Sequence, residues 1–315
     1  MAGNSTSVVL AALFANGAIA IMKFGAWLLT GSPSMLSETY HSISDTGNQV
    51  FLLIGIRYGS REPSQAHPFG YGKAQFFYSF LVSVLLFGIA GWESAKHGYN
   101  ALMTGHATGP SGAVTVAGYT FEAVFVSYAV LLGAIVFEAY ALKKAYANLS
   151  AQIERRGWSG LREAFQRTSD VTVLTAFTED TIALTGAALA MTGIFLTRYT
   201  GNYIYDAGAA LLIGVMLMGF AVALAWENKR LILGESIAAS EEARLHDIVA
   251  GHDGVVHVDE FRTVFFGPEK LIVTADVSFD AGLTTGRLDE TIGEIEAALR
   301  SADDRVEKVY IEPEL

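Results

Sequence analysis

Residues 34–49 read SMLSETYHSISDTGNQ. They open a stretch, roughly Met35–Tyr58, that is otherwise apolar enough and long enough to be a membrane-spanning helix. Glu38, His41 and Asp45 follow one another at spacings of three and four, which puts all three on one helical face, and Asn48 extends that face by three more. A charged group at the centre of a bilayer costs at least ~2.5–3.5 kcal/mol, so such groups persist where they face a cavity, a partner or an ion. An imidazole and a carboxylate one turn apart supply one nitrogen and one oxygen, which is half of a zinc site. The competing reading is a set of buried polar residues that merely bridge helices.

The surrounding composition agrees with a membrane setting. Of 315 residues, 51% are hydrophobic and 17% charged, with a mean hydropathy of +0.36, against roughly 25% charged in ordinary soluble domains. The net charge of −11 is unevenly placed. Residues 1–51 contain only Lys23, Glu38, His41 and Asp45 as basic, acidic or imidazole side chains, whereas acids are dense from Glu235 onward. This asymmetry predicts an apolar membrane part followed by an acidic soluble part. There is no cysteine, which excludes disulfides and thiolate sites, so a metal must be held by His, carboxylate, amide or water. No basic patch suggests nucleic acid. The start, MAGNSTSVVL, lacks a basic n-region and a clear cleavage site, and reads as the start of a retained helix. Together with the compact length, this predicts a bacterial inner membrane.

Six segments have the length and apolarity of spans: roughly Ser7–Leu29, Met35–Tyr58, Phe76–Leu102, Phe121–Ala145, Val171–Leu196 and Ile204–Ala225. The second and fifth carry the most polar interruptions. Lys and Arg concentrate on the side holding both termini (Arg57, Arg61, Lys73, Lys143, Lys144, Arg155, Arg156, Arg162, Arg167, Lys229, Arg230), against Lys96 and Arg198 opposite. Both termini are therefore expected in the cytoplasm. The short connection Thr30–Pro33 makes an antiparallel hairpin of the first two helices, Gly105–Gly118 reads as an exposed Gly-rich loop, and Ala147–Arg167 as a charged linker with some helix.

The fifth segment, VTVLTAFTEDTIALTGAALAM (171–191), holds Glu179 and Asp180 side by side. Adjacent residues project about 100° apart on a helix, so the two do not serve one ion equally. Either one ligates while the other pairs with a neighbour such as Lys23, or one carries a proton because adjacent acids repel. If the span begins near Glu179, they are instead a helix-end pair at the headgroups. Asp206 reads as a cap of the sixth helix.

After Arg230 the pattern changes. Glu241–Ala250 is helical, Val255–Phe266 and Leu271–Phe279 are β-rich and separated by Gly267-Pro268, Leu288–Leu299 is amphipathic, and Val306–Ile311 is a short strand. The order α-β-β-α-β predicts a small domain with helices on one face of a sheet, of a size that dimerisation would help. The domain reading is 1–230 membrane part and 231–315 soluble part.

The runs GSPSMLSETYHSISD (31–45) and HPFGYGKAQFF (67–77) resemble the first-hairpin signature and following loop of the cation diffusion facilitator family. HSISDTGNQ (41–49) with TEDTIALTG (178–186) resembles its branch that includes the mitochondrial zinc transporters of animals. The resemblance implies a six-helix membrane protein with a cytoplasmic αββαβ, ferredoxin- or metallochaperone-like domain, a homodimer, that exports Zn²⁺ from the cytoplasm against protons. It implies no enzyme and no organic cofactor, with the metal as cargo. It carries His41, Asp45 and Asp180 over as transport-site ligands. The family's fourth ligand position falls on Ala176, so Glu179, Asn48 or water would take that place. Fewer histidines keep Mn²⁺ or Fe²⁺ open as cargo, with Co²⁺, Ni²⁺ and Cd²⁺ beside them. A membrane metal sensor or scaffold without flux is the alternative from another class. His67 stands at one of the family's loop ligand positions, with Tyr71 and Ser64 at others; Asp259, Ala275, Tyr310 and Glu312 match those of its soluble domain, near His246, His252 and His257. Lys73 and Glu235 fall where the family has a charge pair.

Overall fold

None of the described prolines sits inside a helix. Pro33 takes the first position of a helix, Pro63 and Pro68 lie in a loop, Pro268 in a turn and Pro313 in the last strand. Proline in a helix interior would break the backbone ladder, so its exclusion leaves long helices uninterrupted. The computed structural model describes residues 2–104, 113–116, 119–168 and 171–314. In chain order the elements are α1 (Ala2–Thr30), α2 (Pro33–Gly59), α3 (Ala74–Leu85), a π-helical turn (Leu86–Gly91), α4 (Trp92–Thr104), β1 (Ala113–Val116), β2 (Tyr119–Glu122), α5 (Ala123–Arg156), α6 (Leu161–Arg167), α7 (Val171–Thr200), α8 (Ile204–Leu233), α9 (Ala239–Ala250), β3 (Val255–Gly267), β4 (Lys270–Phe279), α10 (Thr285–Ala302) and β5 (Val306–Glu314).

Among the described residues, five helical segments are long and apolar enough to cross a membrane: Leu13–Thr30, Ala74–Thr104, Ala123–Arg156, Val173–Thr200 and Ile204–Leu233. The helix α2, at 27 residues, has the length but not the composition, because its buried side is polar. Five of the six expected spans thus stand on length and composition, and α2 on length. The expected Gly-rich loop lies largely outside the described residues; its described part forms the β1–β2 hairpin, with Val116 opposite Tyr119.

The turn between α1 and α2 is specified residue by residue. Gly31 adopts φ +64°, a left-handed conformation that costs glycine little, and its N–H reaches the Trp27 carbonyl at 2.7 Å. The Ser32 hydroxyl accepts from the Met35 N–H at 3.2 Å as an N-cap, and Pro33 follows at the favoured first helical position. The other end of the bundle uses similar chemistry: Gly157, at φ +66°, ends α5 just after Arg155 and Arg156.

One unit comprises Met1–Ile56, Tyr78–Phe165 and Val171–Glu227. Its core includes Met35, Leu86, Leu131, Ala187, Ile213 and Leu217. Here α4 and the π-helical turn before it touch α8 backbone to backbone: a Cβ at Gly98 would overlap Leu211, one at Gly214 would overlap Ala95, and one at Gly91, the last residue of the turn, would stand 2.6 Å from Met218 Cγ. Small residues at such crossings are how membrane helices approach closely. Gly214→Val is therefore expected to abolish recovery of folded protein in size-exclusion chromatography. Gly219→Ala, with nothing within 4 Å of its Cβ, should be neutral or gain a few tenths of a kcal/mol from helix propensity.

The second unit comprises Arg57–Phe77, Gln166–Asp170 and Asn228–Leu315. Its sheet runs β3-β4-β5, with β3–β4 antiparallel (Val264 opposite Ile272) and β4–β5 parallel (Val273 opposite Val309). The expected α-β-β-α-β order is the one observed, and the hairpin turns at Pro268 and Glu269, the latter at φ +52°. Leu245 and Val249 of α9, Ile295 and Leu299 of α10, and Val273, Ala275 and Val277 of β4 are all buried, with α9 packed on β3 and α10 on α9 and β5. Arg305, 3% exposed, joins Asp303 (2.9 Å from Nε) to Glu241 of α9 (2.6 Å from Nη2). In the loop after α2, His67 meets Tyr71 edge-on at 4.3 Å, and Tyr71 shares a hydrogen bond with Ser64 at 3.0 Å. The anticipated Lys73–Glu235 pair does not form. Arg230, five residues away and on the last turn of α8, holds Glu235 at 2.9 Å, and Lys73 donates to the Ile232 carbonyl at 3.3 Å.

Candidate metal site

The polar side of α2 separates into two classes. Ser37 and Thr39 turn their hydroxyls back onto the Pro33 and Met35 carbonyls one turn earlier, at 3.2 and 2.8 Å, the usual way a helix absorbs hydroxyls in an apolar setting. Glu38, His41, Asp45 and Asn48 are too long or too polar to be absorbed this way, and all four are buried. Each needs something from outside α2.

Two of the four find protein partners. Lys23 of α1 donates to Glu38 at 2.7 Å, with both side chains fully buried. Asn48 donates to Glu179 of α7 at 2.6 Å. The expectation that Lys23 would neutralise one of the α7 acids is corrected: its ammonium is committed to Glu38. Gly186 explains part of this. The α7 backbone at Gly186 runs so close to Glu38 that a Cβ there would overlap Oε1, so the missing side chain makes room for the carboxylate, whose other oxygen is on Lys23.

The remaining two do not. Both ring nitrogens of His41 and Oδ1 of Asp45 are buried without a hydrogen-bond partner. They face each other at 3.5 Å, Nδ1 to Oδ1, one helical turn apart. A buried polar atom without a partner costs about 1–3 kcal/mol, so three such atoms together call for an absent partner. A cation accepts the lone pair of one His41 nitrogen and one from Asp45 Oδ1, the other ring nitrogen of the neutral imidazole carrying its proton.

Around this pair the structure gathers further acids. Asp45 lies within electrostatic reach of Glu179, Glu138, Lys23 and Glu38. Asp180, half-buried beside Glu179, lies within reach of Glu138. Among the described residues, no three His, Asp or Glu side chains are already close enough to hold one ion. His41 and Asp45 are brought together; Asp180 and Glu179 come from the facing helix, Glu179 through Asn48. Glu138 escaped the sequence reading although a signal was present: it is the only acid or base between Ala123 and Leu142.

Away from this site, His246 lies 3.6 Å from Asp247 and His252 3.8 Å from Glu294, and Asp259 accepts from Ser278 at 2.6 Å. Asp206 is not a cap. Its carboxylate accepts from the Ser34 N–H at 3.2 Å and from the Ser34 hydroxyl, fastening the first hairpin to α8, while Asn202 caps Ile204 at 3.0 Å.

Comparison with known proteins agrees with this architecture. Residues 9–233 match the family model described as cation efflux transmembrane domain, and residues 238–314 that described as cation efflux protein, cytoplasmic domain. The human mitochondrial proton-coupled zinc antiporter SLC30A9 is 30% identical over 278 residues, 88% of this chain and 46% of its own length. Metal tolerance protein C4 of Arabidopsis thaliana is 25% identical over 277 residues, 88% of this chain and 58% of its own. The cation-efflux pump FieF of Escherichia coli is 24% identical over 254 residues, 80% of this chain and 74% of its own. The chain spans about half the length of the first two. With the transmembrane match running through all six long helical segments, the chain belongs to the cation efflux family, the cation diffusion facilitators whose hairpin signature its second helix carries.

Proposed function

We propose that this protein transports divalent metal ions across a membrane, with Zn²⁺ as cargo and protons as the exchanged ion. Both termini lie on the cytoplasmic side, residues 1–230 form the transport domain, and residues 231–315 form a cytoplasmic domain that holds a homodimer together. The observation that carries the reading is the His41–Asp45 pair: three buried polar atoms without partners, one turn apart, within a membrane helix.

The chemistry follows from what each residue offers. His41 binds a metal only as neutral imidazole, and Asp45 and Asp180 only as carboxylates, so an arriving cation displaces the protons these groups hold. Glu179, oriented by Asn48, stands beside Asp180 as a further oxygen donor. Cargo enters from the cytoplasm, and reorientation of the helices opens the site to the far side, where protons recharge the ligands and the metal leaves. Relatives named as a proton-coupled zinc antiporter and a cation-efflux pump support this reading.

A second reading concerns the ion. The site has one imidazole and several carboxylates, and α7 places Ala176 one turn before Asp180. An oxygen-rich set suits Mn²⁺ or Fe²⁺ better than a two-histidine set would. Both readings are tested with purified protein in liposomes. Zn²⁺ uptake should require an opposing proton gradient and stop on addition of a protonophore. Equal rates with and without the gradient would refute coupling, absence of flux for every divalent ion would refute transport, and a Mn²⁺ rate above that of Zn²⁺ would favour the second reading.

A further inference from the structure

We propose that Glu138 is a working carboxylate of the cation site, so that the ion is held from three helices, α2, α5 and α7, and not from α2 and α7 alone. This rests on the transport reading above. Glu138 is 6% exposed and sits in the apolar part of α5, inside the segment long and apolar enough to cross a membrane. An acid at such a position persists where a cavity, a partner or an ion receives it.

The inventory of partners leaves the ion. The helix α5 packs along α7 and against α1, and the charged groups gathered around Glu138 are Lys23 of α1, Glu38 and Asp45 of α2, and Glu179 and Asp180 of α7. That set holds one base against five acids. Lys23 donates to Glu38 at 2.7 Å, and Asn48, the amide of the group, donates to Glu179 at 2.6 Å. The residents capable of neutralising a carboxylate are thus engaged by other acids, while His41 and Asp45 present partnerless atoms to the same region. A divalent cation supplies the missing charge, and a carboxylate from α5 joins the donors His41, Asp45, Asp180 and Glu179 around it.

The test measures Zn²⁺ binding by titration calorimetry in detergent and Zn²⁺ and Mn²⁺ uptake in liposomes. Glu138→Gln should raise Kd and KM at least tenfold and change the Zn²⁺/Mn²⁺ ratio. Glu138→Asp, which keeps the charge but draws it back by one methylene, should raise KM severalfold. Ala176→Asp in the Glu138→Gln background should restore binding, because a carboxylate at 176 stands one turn from Asp180, as His41 stands from Asp45. A merely structural role for Glu138 would leave the ion ratio unmoved. Wild-type affinity and ratio in either Glu138 variant would overturn the proposal. If Asp45→Asn abolishes binding while Glu138→Gln does not, only this inference falls; if neither affects binding, the site itself is misassigned.

Discussion

His41→Leu and Asp45→Asn are each expected to abolish metal uptake while leaving the protein at least as stable as before. The two expectations come from the same atoms. Loss of a residue that merely orients a ligand lowers metal affinity about 10–100-fold, so loss of a ligand itself should cost about 100-fold or more. For folding the sign is opposite. The His41 nitrogens and Asp45 Oδ1 have no protein partner to lose, and replacing an unpaired buried imidazole by leucine removes a desolvation cost of about 1–3 kcal/mol. Uptake in liposomes and thermal melting in detergent, on the same preparations, read both. A variant that loses stability and flux together would mean that the pair bridges helices and is not a cargo site.

Lys23→Met should strongly destabilise the transport unit while still allowing it to fold. Both members of the Lys23–Glu38 pair are fully buried, so the Glu38 carboxylate has no solvent to turn to once Lys23 is removed. Removing one partner of a buried pair costs about 3–5 kcal/mol because the other charge is stranded. Given the usual shift per kcal/mol for a unit of this size, melting should fall on the order of 10 °C. The double variant Lys23→Met/Glu38→Leu should recover most of that loss, since apolar replacement of both partners is often neutral. If the double variant were no more stable than the single one, the pair would be held by more than its mutual charge.

The parts of this structure that were legible in the sequence are those written in local spacing. Glu38, His41 and Asp45 recur at helical intervals, so their common face was readable. Gly31-Ser32-Pro33 is a turn whose residues each have one conformational job, and the β-rich runs around Gly267-Pro268 announced a hairpin. What was not legible depends on which helix lies beside which. Lys23 was matched with an α7 acid because both are charged, but Glu38 lies closer in space. Asn48 finds Glu179 across 131 positions of sequence. The Gly91, Gly98 and Gly214 contacts become meaningful only once α4 and α8 are known to cross. Glu138 was a different kind of miss: a lone acid in an apolar span is itself a signal, obscured here by the richer pattern in α2.

The most direct measurement is anomalous scattering from crystals soaked in Zn²⁺, recorded above and below the zinc edge. A single strong peak is expected inside the transport unit, bounded by the His41 ring, the Asp45 carboxylate and Asp180, with Glu138 turned toward it. Zinc bound only at surface histidines, with the space between His41 and Asp180 empty at saturating metal, would contradict it.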